Sequence, residues 1–189
     1  MIRDLIIKNR SCRRFHQEAA VERQTLVELV DLARLSPSAG NLQPLKYILS
    51  CEREKNALIF PHLAWAGYLT DWPGPAEGER PSAYIIILGD KRLSKSFGCD
   101  HGIAAQSILL GAAEKELGGC MIGSIDRKKL RQDLDIAGRY EILLVLALGR
   151  PGEKVVLETT ESAGDIKYYR DSQSVHHVPK RPLDEIVID

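Results

Sequence analysis

Arg10-Ser11-Cys12-Arg13-Arg14-Phe15 sets three guanidinium groups around a hydroxyl and a thiol in one short stretch. Arginine donates two parallel hydrogen bonds to an oxyanion, so the stretch suits a phosphate monoester. Taken alone it reads first as a solvated basic turn after a short helix. A second segment, Ser36-Pro37-Ser38-Ala39-Gly40-Asn41-Leu42-Gln43-Pro44, combines small residues that admit a ligand close to the backbone with Asn41 and Gln43. These two side chains offer both donors and acceptors, as a heterocycle with several polar edges requires. The same segment also reads as an ordinary turn. A third, Gly118-Gly119-Cys120-Met121-Ile122-Gly123-Ser124, brings backbone N–H groups toward a flat ring, or else is a helix C-cap leading into a strand.

Other chemistries find no signature. The chain has no GxGxxG after a strand, no GxxxxGK[ST] loop and no GxSxG elbow. The four cysteines, Cys12, Cys51, Cys99 and Cys120, form no CxxC pair, and neither they nor the five histidines show zinc-ligand spacing, so no metal is expected. His176 and His177 are adjacent, and sequence neighbours usually point apart. Arginine neighbours favour a lowered thiol pKa at Cys12. That leaves a redox role for Cys12, and for Cys120, open beside the reading of small structural residues.

The elements that must position these segments follow from periodicity. Val21–Ser36 reads as an amphipathic helix, with Leu26, Leu29, Val30 and Ala33 on one face, ended by Pro37. Lys46–Cys51 reads as a strand and Glu52–Ile59 as a short helix. Phe60–Pro81 carries four prolines, three glycines and both tryptophans, Trp65 and Trp72. It is a long connection that either packs over a site or is a surface loop with two anchors. Ala83–Leu88 and Ile142–Leu148 are buried strands. Asp100–Leu117 is a helix apolar nearly all round, expected in a core or a subunit interface, with Gly118 and Gly119 ending it. Asp126–Leu134 is a short helix with Asp126 as N-cap. From Gly152 onward the chain reads as polar and irregular. Helices outnumber strands in this reading, and the absence of strict βα alternation favours an α+β fold.

The chain has 189 residues, enough for one ordinary domain with a real core. Lys plus Arg equals Asp plus Glu at 26 each, so no broad charge favours nucleic acid. No apolar run is long enough to cross a bilayer, and the start lacks the pattern of a secretory signal. The expectation is therefore a cytoplasmic protein with no membrane or nucleic-acid partner.

In this order and spacing the three segments resemble the nitroreductase family. NRSCRRF is similar to the family's arginine-serine-x-arginine-x-phenylalanine opening, SPSAGNLQP to its most recognisable motif, and LGGCMIGS to the segment behind the flavin. Lys180-Arg181-Pro182-Leu183 resembles its late basic residues. The resemblance implies one FMN-binding domain over residues 1–189. It implies a three-layer sandwich with a mainly antiparallel central sheet flanked by helices, in a homodimer exchanging a C-terminal arm (Val175–Asp189). Arg10, Ser11 and Arg13 would hold the phosphate and ribityl chain, with Lys180 or Arg181 helping. Pro37, Ser38, Ala39, Asn41 and Gln43 would contact the flavin from the other subunit. Ile122, Gly123 and Ser124 would lie near the ring's N5 edge. Asn9 stands where many members have a further arginine, which implies a weaker phosphate site or one completed elsewhere. Ala39 replaces a serine common in relatives, and Gly123 stands where some carry glutamate.

The implied activity is hydride transfer from NADH or NADPH to an electron-poor acceptor such as a nitroaromatic or quinone, in a ping-pong cycle. FMN carries the chemistry, and no side chain is assigned a catalytic role. The alternatives are a flavin-modifying or dehalogenating relative, a flavin-binding sensor or carrier without turnover, and a phosphate-binding module without flavin.

Overall fold

A computed structural model describes residues 1–161 and 164–188. Its central feature is a four-stranded antiparallel sheet in the order β1-β2-β4-β3, built from Leu45–Ser50 (β1), Ala83–Asp90 (β2), Gly118–Ile122 (β3) and Tyr140–Gly149 (β4). β2 lies inside the sheet and all eight of its residues are buried. That explains its unbroken apolar run, since a strand covered on both faces has no solvent side to mark with polar residues. Alternate residues feed two separate cores. Ala83, Ile85, Ile87, Leu146 and Leu148 face Leu26, Leu29, Ile108 and Ala112. Tyr84, Ile86, Leu88, Val145 and Ala147 face Ile59, Leu63, Trp65 and Leu130.

The first face is covered by α2 (Arg23–Leu35) and α4 (Asp100–Glu114), the second by α3 (Arg53–Ile59), α5 (Arg127–Asp133) and the tryptophan-bearing connection. The three layers and the antiparallel sheet agree with the α+β expectation. α2 and α4 approach closely at Gly111, where an added Cβ would lie 2.3 Å from Leu32 Cδ1. α4 is not buried all round: Gly102, Ile103 and Gln106 are exposed. A bulge between Ile87 and Leu88 shifts the register against β4. Arg127 donates to the nearby carbonyls of Ile142 (2.9 Å) and Leu143 (3.4 Å), satisfying groups that the interrupted ladder frees. Asp126 caps α5 by accepting from Lys129 N, as its sequence position suggests.

Three expectations need correction. The described residues hold five α-helices and seven strands, so helices do not outnumber strands. Gly118 and Gly119 do not end α4. The helix stops at Glu114, Glu116 takes the left-handed conformation (φ 59°), and both glycines already belong to β3. The stretch after Gly152 is not irregular throughout. Val155–Thr159 (β5), Tyr169–Arg170 (β6) and His176–Lys180 (β7) form a second sheet in the order β5-β7-β6, with β5 and β7 parallel. The start of the expected exchanged arm is thus paired within its own chain. Beyond it Leu183, Ile186, Val187 and Ile188 are exposed, and Asp189 lies outside the described residues. α1 (Ile2–Lys8) packs on α4 and also leaves Ile2, Ile6 and Ile7 exposed. No helix among the described residues is long and apolar enough to cross a membrane.

Candidate functional site

The arginine-rich segment leaves α1 through an extended Asn9 and runs beside β3. Ser11 bridges Gly119 in parallel, and Cys12 N–H donates to Gly119 O at 2.9 Å. Backbone pairing therefore joins the first and third segments, 108 residues apart at that bridge. Phe15, 2% exposed, bridges Pro151 and anchors the far end. Glu153 fixes the path between these points. Its Oε1 accepts the backbone N–H of Arg13 (2.5 Å) and Arg14 (3.2 Å), and its Oε2 pairs with Arg170 at 2.9 Å.

Cys12 is buried beneath this segment, its Sγ against Arg14 O. Burial, reinforced by the Glu153 charge, pushes its thiol up to about 12, and burial also raises Cys120. The expectation of a lowered Cys12 pKa is overturned, because removing the thiolate from water outweighs the nearby guanidiniums.

The Arg13 guanidinium lies 4.7 Å from the Tyr168 ring centroid, with Nη1 3.4 Å from both Ser11 O and His176 Nε2. His176 is fully buried, tilted on Tyr168 at 5.3 Å, and its Nδ1 has no partner among the described residues. Burial holds its pKa down to about 4, and the Arg13 and Arg170 charges lower it further against an opposing effect of Glu153. The ring is therefore neutral near pH 7, and its Nε2 lone pair can accept from Arg13. His177 points the other way, between Glu158 (2.5 Å) and Asp171 (3.1 Å), as adjacent strand residues should.

These groups line a cleft of about 350 Å³ that includes Arg10, Ser11, Arg13, Met121, His176 and Lys180. Arg10 turns its guanidinium back to Ile6 O and Asn9 O at the end of α1. A smaller compartment of about 140 Å³ shares Arg13 and Met121 with the cleft. It is lined by Ile122, Gly123 and Ser124 on one side and Ala64–Gly67 on the other. The tryptophan connection thus packs over the site: Ala64 N–H donates to Ser124 O, Trp65 is buried in the second core, and Arg170 lies 4.2 Å over the Trp72 ring.

Seven of the expected residues, Arg10, Ser11, Arg13, Ile122, Gly123, Ser124 and Lys180, border these two neighbouring spaces, which share Arg13 and Met121 in their walls. Arg181 does not; it pairs with Glu185 at 3.2 Å. Pro37, Ser38 and Gln43 border a different hollow of about 180 Å³ beside α2 and α4. Their loop is held by Asp100, which accepts from Ser38 Oγ (2.6 Å) and Ala39 N–H (3.0 Å). Ser38 Oγ accepts from Gln43 N–H at 3.0 Å. Gly40, Asn41 and Gln43 all have positive φ, which turns the exposed Ala39–Asn41 tip outward. One chain keeps the two groups of residues on separate surfaces.

The sequence reading missed Glu153, Tyr168, Arg170 and Asp100. None sits in a motif, and each acts through a contact more than 15 residues away. In the late segment the sequence signal for the site is the Lys180-Arg181 pair, of which Lys180 borders the cleft.

The sequence model of the nitroreductase family matches residues 6–73 and 77–150. An Archaeoglobus fulgidus protein, provisionally named NADH dehydrogenase/NAD(P)H nitroreductase, is 26% identical over 157 residues, covering 79% of this chain and 85% of that one. The solved FMN-dependent nitroreductase of Clostridium difficile R20291 is 24% identical, with 79% and 87% of the chains covered and a TM-score of 0.64. A nitroreductase family protein of Streptococcus pneumoniae superposes over the whole of both chains at 19% identity, with a TM-score of 0.71.

Proposed function

The chain belongs to the nitroreductase family, and from that premise we propose that residues 1–189 act as one FMN-binding domain catalysing NAD(P)H-dependent reduction of an electron-poor acceptor. The observation that carries the reading is that the two spaces share Arg13 and Met121 in their walls. Arg13 and Lys180 stand in one, and the Ile122–Ser124 backbone borders the other. The donor set fits a phosphate-bearing flavin. Two cations and the Ser11 hydroxyl suit a dianion, and a Cβ on Gly123 would meet nothing within 4 Å, so the backbone there is open to a flat ring.

Each residue then has a task. Arg13 grips the phosphate, and neutral His176 accepts one of its N–H groups without adding a competing charge. Glu153 fixes the backbone from which Arg13 projects. Lys180 supplies a second cation from β7, which offsets Asn9 in place of a further arginine. Ser124 and Gly123 offer backbone N–H groups to the edge where negative charge develops. Held by these residues, FMN would supply the two-electron transfer between NADH or NADPH and a nitroaromatic or quinone. Ala64–Gly67 wall the acceptor's side of the cleft.

The Ala39–Asn41 tip completes the site of a second copy in a homodimer. What supports this is its outward turn, its separation from the cleft of its own chain, and the exposed apolar residues of α1 and of 183–188.

The test is the visible absorption spectrum of the purified protein, followed anaerobically with NADH and then NADPH. Flavin bands that bleach support the reading. Bands that neither nucleotide bleaches favour a flavin-binding sensor, and a colourless protein that FMN cannot reconstitute overturns the proposal.

A further inference from the structure

Arg13 and the Ala64–Gly67 wall both border the smaller compartment, and Tyr168 touches the fastenings of both. The wall is held in a strained shape. Ala66 has φ 40°, a left-handed conformation that a non-glycine residue keeps only where its surroundings impose it. Before it, Ala64 N–H donates to Ser124 O at 3.0 Å and Trp65 is buried in the second core. After it, Leu69 N–H closes a turn onto Ala66 O at 2.8 Å. Within that turn Tyr68 reaches out to Tyr168. Its backbone N–H donates to Tyr168 Oη at 3.3 Å, and the two rings lie 4.9 Å apart.

The same Tyr168 ring meets the arginine cleft, whose lining it joins. The Arg13 guanidinium lies 4.7 Å from its centroid and the His176 ring 5.3 Å from it. A cation over an aromatic face is attracted to it, so the place of Arg13 bears on the place of the ring. Tyr168 is half-buried and directly precedes β6, which pairs with β7 and is locked by the Arg170–Glu153 ion pair. Tyr68 is 52% exposed in an irregular connection. The better-held partner therefore fixes the looser one.

We propose that Tyr168 is a positioning residue that couples the phosphate subsite to the acceptor wall. Phosphate drawn to Arg13 steadies the Tyr168 ring, and Tyr168 steadies Ala64–Gly67 through Tyr68. The inference rests on the flavin reading and adds to it how cofactor binding prepares the acceptor's side of the cleft. A wall held in place restricts the orientations open to the acceptor, and orientation is a direct lever on rate.

The experiment is hydrogen–deuterium exchange across residues 64–72, with and without saturating FMN, in wild type, Tyr168→Phe and Tyr168→Leu. Tyr168→Phe keeps a ring for Arg13 and removes the hydroxyl that accepts from Tyr68; Tyr168→Leu removes the ring as well. In wild type, FMN should slow exchange at Tyr68 at least threefold. Tyr168→Phe should lose most of that slowing while its FMN affinity, from fluorescence titration, stays within twofold. Tyr168→Leu should lose the slowing and also bind FMN severalfold more weakly. The KM for menadione should rise severalfold in Tyr168→Phe, by more than kcat falls. A merely destabilised chain would instead exchange faster throughout. Tyr168→Phe alone carries the test if Tyr168→Leu does not fold. Slowing that persists in Tyr168→Phe, or is absent from a wild type that binds FMN, overturns this inference alone. A wild type that binds no FMN overturns the flavin reading and this inference with it.

Discussion

Glu153 and Arg170 form an ion pair of 2.9 Å in which the two side chains are only 1% and 11% exposed. The same carboxylate takes the backbone N–H groups of Arg13 and Arg14. One buried charge therefore ties the small sheet, through β6, to the segment expected to hold phosphate. Breaking a buried pair by removing one partner costs about 3–5 kcal/mol, because the other charge is left unmatched. Glu153→Gln should lower the urea midpoint substantially and also weaken FMN, since the Arg13 backbone loses its anchor. A variant with unchanged midpoint and unchanged FMN affinity would contradict this account.

Arg13→Ala should loosen FMN by about 1.5–3 kcal/mol, the usual worth of a hydrogen bond to a charged group. Folding should be less affected, because the guanidinium meets Ser11 O, His176, the Tyr168 face and the Cys120 thiol and pairs with no carboxylate among the described ion pairs. Arg10→Ala should behave differently. Its guanidinium binds carbonyls at the end of α1, so part of its effect should appear in thermal stability. Fluorescence titration of the apoprotein with FMN, beside thermal melts, separates the two. Equal affinity for FMN in wild type and Arg13→Ala would remove Arg13 from the phosphate site.

Asp100 is 5% exposed and supports the Ser38 loop with two hydrogen bonds from the first turn of α4. Asp100→Ala leaves Ser38 Oγ and Ala39 N–H without that acceptor, at a cost of about 1–3 kcal/mol. If the loop tip serves a neighbouring copy, the same variant should weaken FMN without touching the arginine cleft. Denaturant titration and FMN affinity, measured together, check both statements. A loss of stability with FMN affinity intact would confine Asp100 to a structural role and count against the shared site.

How much of this was legible follows from the range of the interactions involved. α2 and β2 could be read because their patterns are local: Leu26, Leu29 and Ala33 recur at helical spacing, and β2 is an unbroken apolar run. The central sheet's partners were less visible, and the two glycines that open β3 read as a helix terminator leading into a strand rather than as part of it. They are glycines for another reason. A Cβ on Gly119 would lie 2.4 Å from Leu109 Cδ2, so packing excludes a side chain there. The second sheet left no periodic trace. β6 has two residues, and β5 pairs in parallel with a strand about 20 residues later, so its stability comes from non-local contacts such as Tyr169 stacked on His177 at 4.7 Å. The site was legible where a motif carries its own donors, as at Arg13. It was not where one buried residue supports another segment, as Glu153 and Asp100 do.

The adjacent histidines of β7 should give opposite pH dependences of stability. His176 has a folded pKa of about 4, below its ordinary value of 6.5. The unfolded chain then binds the extra proton first, so this contribution is complete above pH 6.5 and is lost as pH falls toward 4. His177 is raised by its hydrogen bonds to Asp171 and Glu158. Its contribution is complete below 6.5 and is lost as pH rises through its folded pKa. His176→Phe should flatten the acid limb of stability between pH 6.5 and 4, and His177→Gln the limb above 6.5. Urea unfolding at half-unit pH steps measures both. A His176→Phe profile parallel to wild type through the acid window would show that the buried ring does not titrate as its surroundings require.

Cysteine reactivity provides the last prediction, because the thiolate is the reacting species. Cys12 is 3% exposed with its thiol pushed up to about 12, and Cys120 is 4% exposed and raised by the same burial. Access and ionisation both oppose reaction at these positions, although each lies within a site segment. Cys99 is exposed just before α4. Iodoacetamide at pH 8 should therefore modify Cys99 in the native protein and leave Cys12 and Cys120 unmodified until urea unfolds the chain, as peptide mass mapping would report. Cys12→Ser and Cys120→Ser should retain turnover with NAD(P)H within about twofold, since a substitution that only alters packing lies mostly in stability. Rapid native labelling of Cys12, or loss of turnover in a Cys12→Ser variant that still binds FMN, would restore the redox role that burial argues against.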